Sequence, residues 1–372
     1  PLRDDPLYLN TAGLGPASQR VLDRVATTMA RLQEHSETGH PLIQPAREAL
    51  ARFIGADSDE LCFVRNATEA NSIIAAGLAL QAGDEVIFET HAHPGGSFPW
   101  LNQVKERGIV VRLFEPDSSS AEGNLKRIQE LTTSRTKAIQ VSHITCTNGL
   151  VFPVAEIAAF ARSRGVWCHL DGAQSIGMVP IDVHAIGCDS YAFSGHKWLG
   201  GPHETGGLYI RRARLDAIAL TGAGAYSGGI ERLPGEIDYA PGAVRHEYGT
   251  RNAGLVAGLA EAVRLQEEIG RERIAAHGRE LAAQLRDGLT GVKDITLLTP
   301  RPDGLRASIT TFRHARANAE KMFGYLLEQH RLRCRPVTEQ GLEATRISTH
   351  VFTSHADCER VIVGVRAAAR VL

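Results

Sequence analysis

Seven short apolar or β-branched runs punctuate the first two thirds of the chain: LCFVR at 61–65, EVIF at 85–88, IVVRLF at 109–114, AIQVSH at 138–143, VWCHL at 166–170, DSYAF at 189–193 and GLYI at 207–210. Between them lie segments with helical spacing. From Glu69 to Leu80, for instance, Ile73, Ile74, Gly77 and Leu78 fall at i, i+1, i+4 and i+5, and Val154 to Arg164 is rich in Ala, Ile and Phe. Such alternation predicts an α/β fold with a seven-stranded, mostly parallel sheet covered by helices. Open sheets of this kind collect ligands at the carboxyl ends of their strands, so the residues just after each run are the candidates for chemistry.

Beyond Gly249 the pattern changes. A long helical stretch from Gly254 to Leu289 carries Leu255, Leu259, Ala262 and Val263 on an apolar stripe. It is followed by a strand at 307–312, a helix near Ala317 to His330, strands at LRCRPV and TRISTHVF, and a closing helix from Ala356. The expected organisation is an N-terminal segment (1–15), a large α/β domain (16–253) and a smaller C-terminal α+β domain (254–372). The N-terminal segment PLYLNTAGLGP is compatible with a position across either domain.

The chain has 372 residues with 41 Lys and Arg against 42 Asp and Glu. Nothing in that balance attracts nucleic acid or an anionic membrane. No apolar run nears the roughly 20 residues that span a bilayer, and the start lacks a basic-then-apolar pattern. The six cysteines are dispersed, with no C-x-x-C pair. These features fit a reduced, cytoplasmic setting.

The most informative stretch is HLDGAQSIGMVPIDVHAIGCDSYAFSGHKWLGG at 169–201. Asp171 ends one predicted strand and Lys197 follows the next, 197 − 171 = 26 positions later. Neighbouring parallel strands bring a carboxylate and an amine to one rim. The plain alternative is a helix-capping aspartate and an exposed lysine.

DGAQ followed by FSGHKW resembles the signature of the class V, fold-type I pyridoxal-phosphate (PLP) enzymes, and the likeness extends through YLNTAG, NATEAN, EYGTRNAG and RISTHVF. Within that group the chain is most similar to isopenicillin N epimerase-like proteins and related C–S lyases. The resemblance implies pyridoxal 5'-phosphate as cofactor, with Lys197 condensing with its aldehyde and moving protons at the substrate Cα. It assigns Asp171 to the pyridinium nitrogen, Gln174 to the ring hydroxyl and His93 to stacking on the ring. Ala67, Thr68 and Glu69 at a helix start, with Ser194 and His196, are implied for the phosphate. Thr250 is implied to reach the phosphate of a neighbouring subunit, hence a homodimer with shared sites. Arg346 matches the receiver of the substrate α-carboxylate, and Asn10 and Thr11 match the lining of the substrate mouth. On their own, Thr68 reads as a cap residue, Thr250 as a turn residue and Arg346 as a surface group.

Departures from the family pattern are equally informative. Cys146 stands where many desulfurases place an asparagine near the ring. The stretch that carries the sulfur-accepting cysteine of desulfurases is short here, with only Cys334, which reads as a packed strand residue. The segment 222–250 reads as a loop over the site, with Tyr226, Arg245 and His246 as candidate substrate contacts, or else as a dimer-contact loop. The expected reaction is Cα proton abstraction followed by β-elimination from an S-substituted cysteine. The alternatives are an epimerase, a desulfurase, an aminotransferase, or a metallohydrolase using His91, His93, His143, His169 and Asp171. A binding protein without catalysis accounts poorly for Asp171, Gln174, His196 and Lys197 together.

Overall fold

The computed structural model describes residues 5–229 and 235–372. All seven expected strands form: β1 (Leu61–Val64), β2 (Glu85–Glu89), β3 (Val110–Phe114), β4 (Thr136–Ser142), β5 (Trp167–Asp171), β6 (Ser190–Ser194) and β7 (Gly206–Ile210). They make one sheet in the order β1-β7-β6-β5-β4-β2-β3. Pairing is parallel from β6 through β3, and β7 runs antiparallel to both β6 and β1. The reversal has a simple cause. A parallel return needs a crossover of a dozen or more residues, usually a helix, and the β6–β7 connection contains none. That connection carries Lys197.

Every residue of β1, β2, β5, β6 and β7 is buried. Helices cover both faces of the sheet, which is why these strands read as continuous apolar runs rather than as alternating ones. Two cores result. One, on one face, gathers Ile54, Ile139, Leu170 and Tyr209; the other holds Ile74, Val86, Trp100 and Leu208.

The helix Ala253–Ile269 places Val256, Leu259, Ala262 and Val263 in the same core as Leu170 and Tyr209. The following helix, Arg271–Leu289, instead packs Leu281 and Leu285 with Phe312, Ile347 and Val361. Those last residues belong to a small unit built on β8 (Ile295–Leu297), β9 (Ile309–His314), β10 (Arg335–Val337) and β11 (Ala344–Ser348). Its four strands are antiparallel, in the order β8-β9-β11-β10. The LRCRPV run, expected as one strand, is split at Cys334. Leu332–Arg333 pairs with Leu7–Tyr8, whereas Arg335–Val337 pairs with β11.

The N-terminal segment spans both units. Leu9 sits in the small unit's core, and Gly15 N–H donates to the carbonyl of His196 at 2.8 Å. A Cβ on Gly15 would lie 1.7 Å from the Lys197 carbonyl oxygen, so only glycine permits this close approach. Among the described residues, no helix is long and apolar enough to cross a membrane.

Candidate active site

Sequence-distant segments converge beyond the carboxyl ends of β5 and β6, on a cavity of about 280 Å³. Its lining includes Ala67, Thr68, His93, Cys146, Asp171, Gln174, Ser194, His196, Lys197 and Arg346. All ten were expected from sequence.

Lys197 is half-buried and makes no ion pair among the described residues. Burial holds its amine below the ordinary lysine value, against the opposing pull of Asp171. The lysine loop is fixed on several sides. Gly200 N–H donates to the Lys197 carbonyl at 3.0 Å. The next carbonyl, of Trp198, accepts from Gln266 Nε2 and His350 Nε2, each at 2.7 Å. Trp198 Nε1 donates to Gln174 Oε1 at 2.7 Å, and Gln174 Nε2 donates to Ala12 O at 2.9 Å.

Asp171 is held from two directions. Its Oδ1 accepts from Ala173 N–H at 2.9 Å, and its Oδ2 accepts from Asn71 Nδ2 at 3.0 Å. Asn71 Oδ1, which can only accept, takes the Nε2 proton of His169 at 2.8 Å. Nδ1 of His169 then accepts from the Ser190 hydroxyl at 2.7 Å, and Ser190 accepts from Trp167 Nε1 at 2.9 Å. Burial pushes His169 down to about 4, which keeps it neutral and consistent with this pattern.

The helix Ala67–Gly77 opens against the cavity, with Asn66 as its cap. Of the three N–H groups expected to meet an anion, two are already bonded: Ala67 to Ser194 Oγ at 2.9 Å and Glu69 to Asn66 Oδ1 at 3.0 Å. The Glu69 side chain turns back to Arg65. Thr68 N–H has no partner among the described residues and lies at the positive end of the helix. His196 Nδ1 is buried and equally unpartnered, and burial followed by the field of Lys197 takes this ring down to about 4. His93 caps the helix Pro94–Arg107, its Nδ1 accepting from Gly95 N–H at 3.0 Å, so its proton sits on Nε2.

Arg346 is almost fully buried. It donates to Cys146 O at 2.6 Å and to Asn10 Oδ1 at 2.8 Å. Asn10 therefore stands behind the arginine, outside the cavity lining, and Thr11 is fully buried with an unpartnered hydroxyl.

Other expectations fall elsewhere. Thr250 is exposed and lines a separate depression with Arg65, Glu204 and Tyr248. Tyr226 meets His40 at 3.0 Å in a groove with Asp238 and Tyr239. Arg245 pairs with Asp216 at 2.9 Å and His246 is buried away from the cavity. Within one chain the described residues of the 222–250 segment do not line the site, and residues 230–234 lie outside the described residues. The histidines considered as metal ligands are engaged separately: His91 with Thr147 and Glu115, His143 with Tyr191, and His169 with Asn71.

Sequence reasoning passed over Asn71 and Arg335, both of which line the cavity. Asn71 carried a legible signal, since it lies three positions after Thr68 on the same helix face. Arg335 carried none, because its role depends on the strand that lies beside it.

The family model for class-V aminotransferases matches residues 8–360. The chain belongs to this family. It is 31% identical over 324 residues to a probable cysteine desulfurase 2 of Mycobacterium leprae, covering 82% of this chain and 76% of that one. It is 30% identical over 368 residues to the isopenicillin N epimerase of Streptomyces clavuligerus, covering 95% and 92%. A solved complex of the cystine C–S lyase C-DES with its reaction product cysteine persulfide superposes with a TM-score of 0.90, at 26% identity and 98% coverage of each chain. This class-V enzyme is PLP-dependent, like C-DES, of which a variant is solved with glycine covalently linked to the PLP cofactor.

The cavity suits that cofactor on its own evidence. A half-buried amine without an ion pair, a carboxylate fixed in place, and unpartnered groups at Thr68 and His196 complement an aldehyde, a protonated ring and a phosphate. Gly95 and Gly96 keep the space open: a Cβ on Gly95 would lie 2.3 Å from Thr68 Oγ1, and one on Gly96 2.9 Å from Asp171 Oδ2.

Proposed function

We propose that this enzyme is a C–S β-lyase acting on an S-substituted cysteine, releasing a thiol or sulfenate together with pyruvate and ammonia. The observation that carries the reading is the state of the cysteines. All six are free and buried. A sulfur-accepting cysteine has to present an accessible thiolate, yet burial pushes the Cys334 thiol up to about 12 and also raises Cys146, the one cysteine lining the cavity. With no thiol suited to take sulfur, cleavage that leaves sulfur on the departing group is the reaction the site supports best.

In this reading Lys197 would anchor the cofactor, and Asp171, Gln174 and His93 would hold its ring. Thr68, Ser194 and His196 hold its phosphate. Bound PLP supplies an electron sink for the charge left at Cα. Arg346 orients the substrate by its α-carboxylate, and Lys197 removes the Cα proton. The Cβ–S bond then breaks with its electron pair going to sulfur, and one water is consumed in forming pyruvate and ammonia. The exposure of Thr250 and the groove beside Tyr226 support a homodimer in which each subunit completes its partner's site, and six unpaired cysteines suit a cytoplasmic setting.

The test is to incubate the holoenzyme in D₂O with S-substituted cysteines, their sulfoxides and ordinary amino acids. Pyruvate with released thiol or sulfenate is expected. Turnover of another amino acid without pyruvate from any S-substituted cysteine would sink the reading. Epimerisation is the second reading, favoured by His93 and Cys146 facing the same cavity as Lys197, where either would serve as a second proton donor. Its signature is deuterated, inverted substrate with no ketoacid.

A further inference from the structure

The cavity holds a second guanidinium to which the β-lyase reading gives no task. Arg335 on β10 is the register partner of Arg346 on β11, so the two side chains leave the same face of the sheet. Both line the cavity. Like charges directly opposite one another destabilise a sheet, and here burial, followed by the field of Arg335, brings Arg346 down to about 10. Arg346 makes no direct ion pair among the described residues, since its hydrogen bonds go to a backbone carbonyl and an amide oxygen and its Nε has no partner, and the field of Glu339 offsets only part of its burial.

The compensation on this wall is partial. Arg335 donates from Nη2 to Oε1 of Glu339, four residues on, while Oε2 of that carboxylate is buried and unpartnered. A guanidinium has five N–H donors, and this contact uses one of them. The Arg335 side chain is 30% exposed and so stays reachable from the cavity mouth. Two arginines thus face one protein carboxylate, and Asp171 is already committed to Asn71 and Ala173.

We propose that Arg335 and Arg346 read two carboxylates of one substrate: Arg346 the α-carboxylate, and Arg335 a second carboxylate carried by the sulfur substituent. The substrate class is then an S-substituted cysteine whose substituent ends in a carboxylate. The identity of the reaction rests on the β-lyase reading; the binding preference does not.

The experiment compares S-propylcysteine with S-(2-carboxyethyl)cysteine, titrated into the holoenzyme and followed by the visible absorbance of the cofactor, with pyruvate measured separately. The carboxylated ligand is expected to bind about tenfold to a hundredfold more tightly, as a charge-assisted pair would give. Arg335→Gln is expected to collapse that ratio to near one, and Glu339→Gln, which frees Arg335, to widen it. Arg335→Lys keeps the charge without the planar fork and is expected to retain part of the ratio, which serves as the reading should Arg335→Gln fail to fold. Equal binding of the two ligands by the unaltered enzyme, or equal weakening of both by Arg335→Gln, would overturn the proposal. The second outcome would make Arg335 a mere support for the α-carboxylate. A clear binding preference with no pyruvate from either ligand would leave the two-carboxylate site standing and remove the β-lyase reading.

Discussion

Asn71 donates to Asp171 across 3.0 Å, and so ties the first helix after β1 to the carboxyl end of β5. Asn71 is the side chain through which neutral His169 reaches Asp171. The amide has its orientation set by His169 and sets that of the carboxylate in turn, in the way that outer partners orient functional groups. Asn71→Ala is expected to weaken PLP retention and to lower turnover by about tenfold to a hundredfold, with the cofactor's visible band shifted. Cofactor titration of the apoenzyme together with initial rates checks this, and an unshifted band with normal PLP affinity would reduce Asn71 to a packing role.

Lys197→Ala is expected to abolish turnover by at least about a thousandfold, since both the anchoring amine and the base at Cα are lost. Borohydride treatment of the unaltered holoenzyme followed by peptide mapping should place the reduced cofactor on Lys197. A label on any other lysine would refute the assignment.

Arg346→Lys retains charge but loses the planar fork that meets a carboxylate with two bonds. KM for every amino-acid substrate is expected to rise by about tenfold or more. Arg346→Ala also leaves Asn10 Oδ1 and the Cys146 carbonyl without their donor. Rates over a wide substrate range separate KM from kcat, and an effect on kcat alone would argue against a role in carboxylate binding.

Acid should unfold this protein through its buried histidines. His143, His169 and His350 are each held down to about 4, chiefly by burial, and each is ordinarily near 6.5. Folded-state values below the unfolded ones mean that the unfolded chain binds the extra protons between those limits. The stability these residues contribute is therefore complete above about pH 6.5 and is lost as pH falls toward 4, by up to roughly 3 kcal/mol for each histidine. Urea midpoints measured from pH 7.5 to 4.5 should show this decline, and His350→Gln should make it shallower. A flat profile would contradict the burial.

Arg47 and Glu247 form a buried ion pair, each side chain about 5% exposed, and Glu247 also accepts from Phe63 N–H at 2.6 Å. Removing one partner strands the other charge. Arg47→Met is expected to cost about 3–5 kcal/mol, and Arg47→Met with Glu247→Gln distinctly less than the sum of those two single changes. Chemical denaturation of the four proteins measures the coupling.

Much of the site was legible because its residues sit where strands end. Asp171 follows the apolar run of β5, Ser194, His196 and Lys197 follow that of β6, and NATEAN opens a helix directly after β1. Short-range patterning places such residues on one rim before any tertiary contact is known. Cys334 read correctly as a packed residue, at 3% exposure. The contact of Tyr226 with His40 was not legible, because a loop's path depends on surfaces outside its own sequence. Arg335 escaped notice because β10 is three residues long, too short for alternation to declare which way a side chain faces.

The sequence by itself determined the seven strands, the α/β class and the chemistry gathered at the rim, since those depend on apolar periodicity and on residues adjacent to strand ends. Only the tertiary structure decided that β7 runs antiparallel, that two of the three expected N–H donors are already bonded, that Asn71 connects His169 to Asp171 and that Arg335 stands beside Arg346. Each of these depends on which segments come to lie side by side. Residues such as Asn71 and Asp171, 100 positions apart, meet only when the sheet and its helices close on a common core.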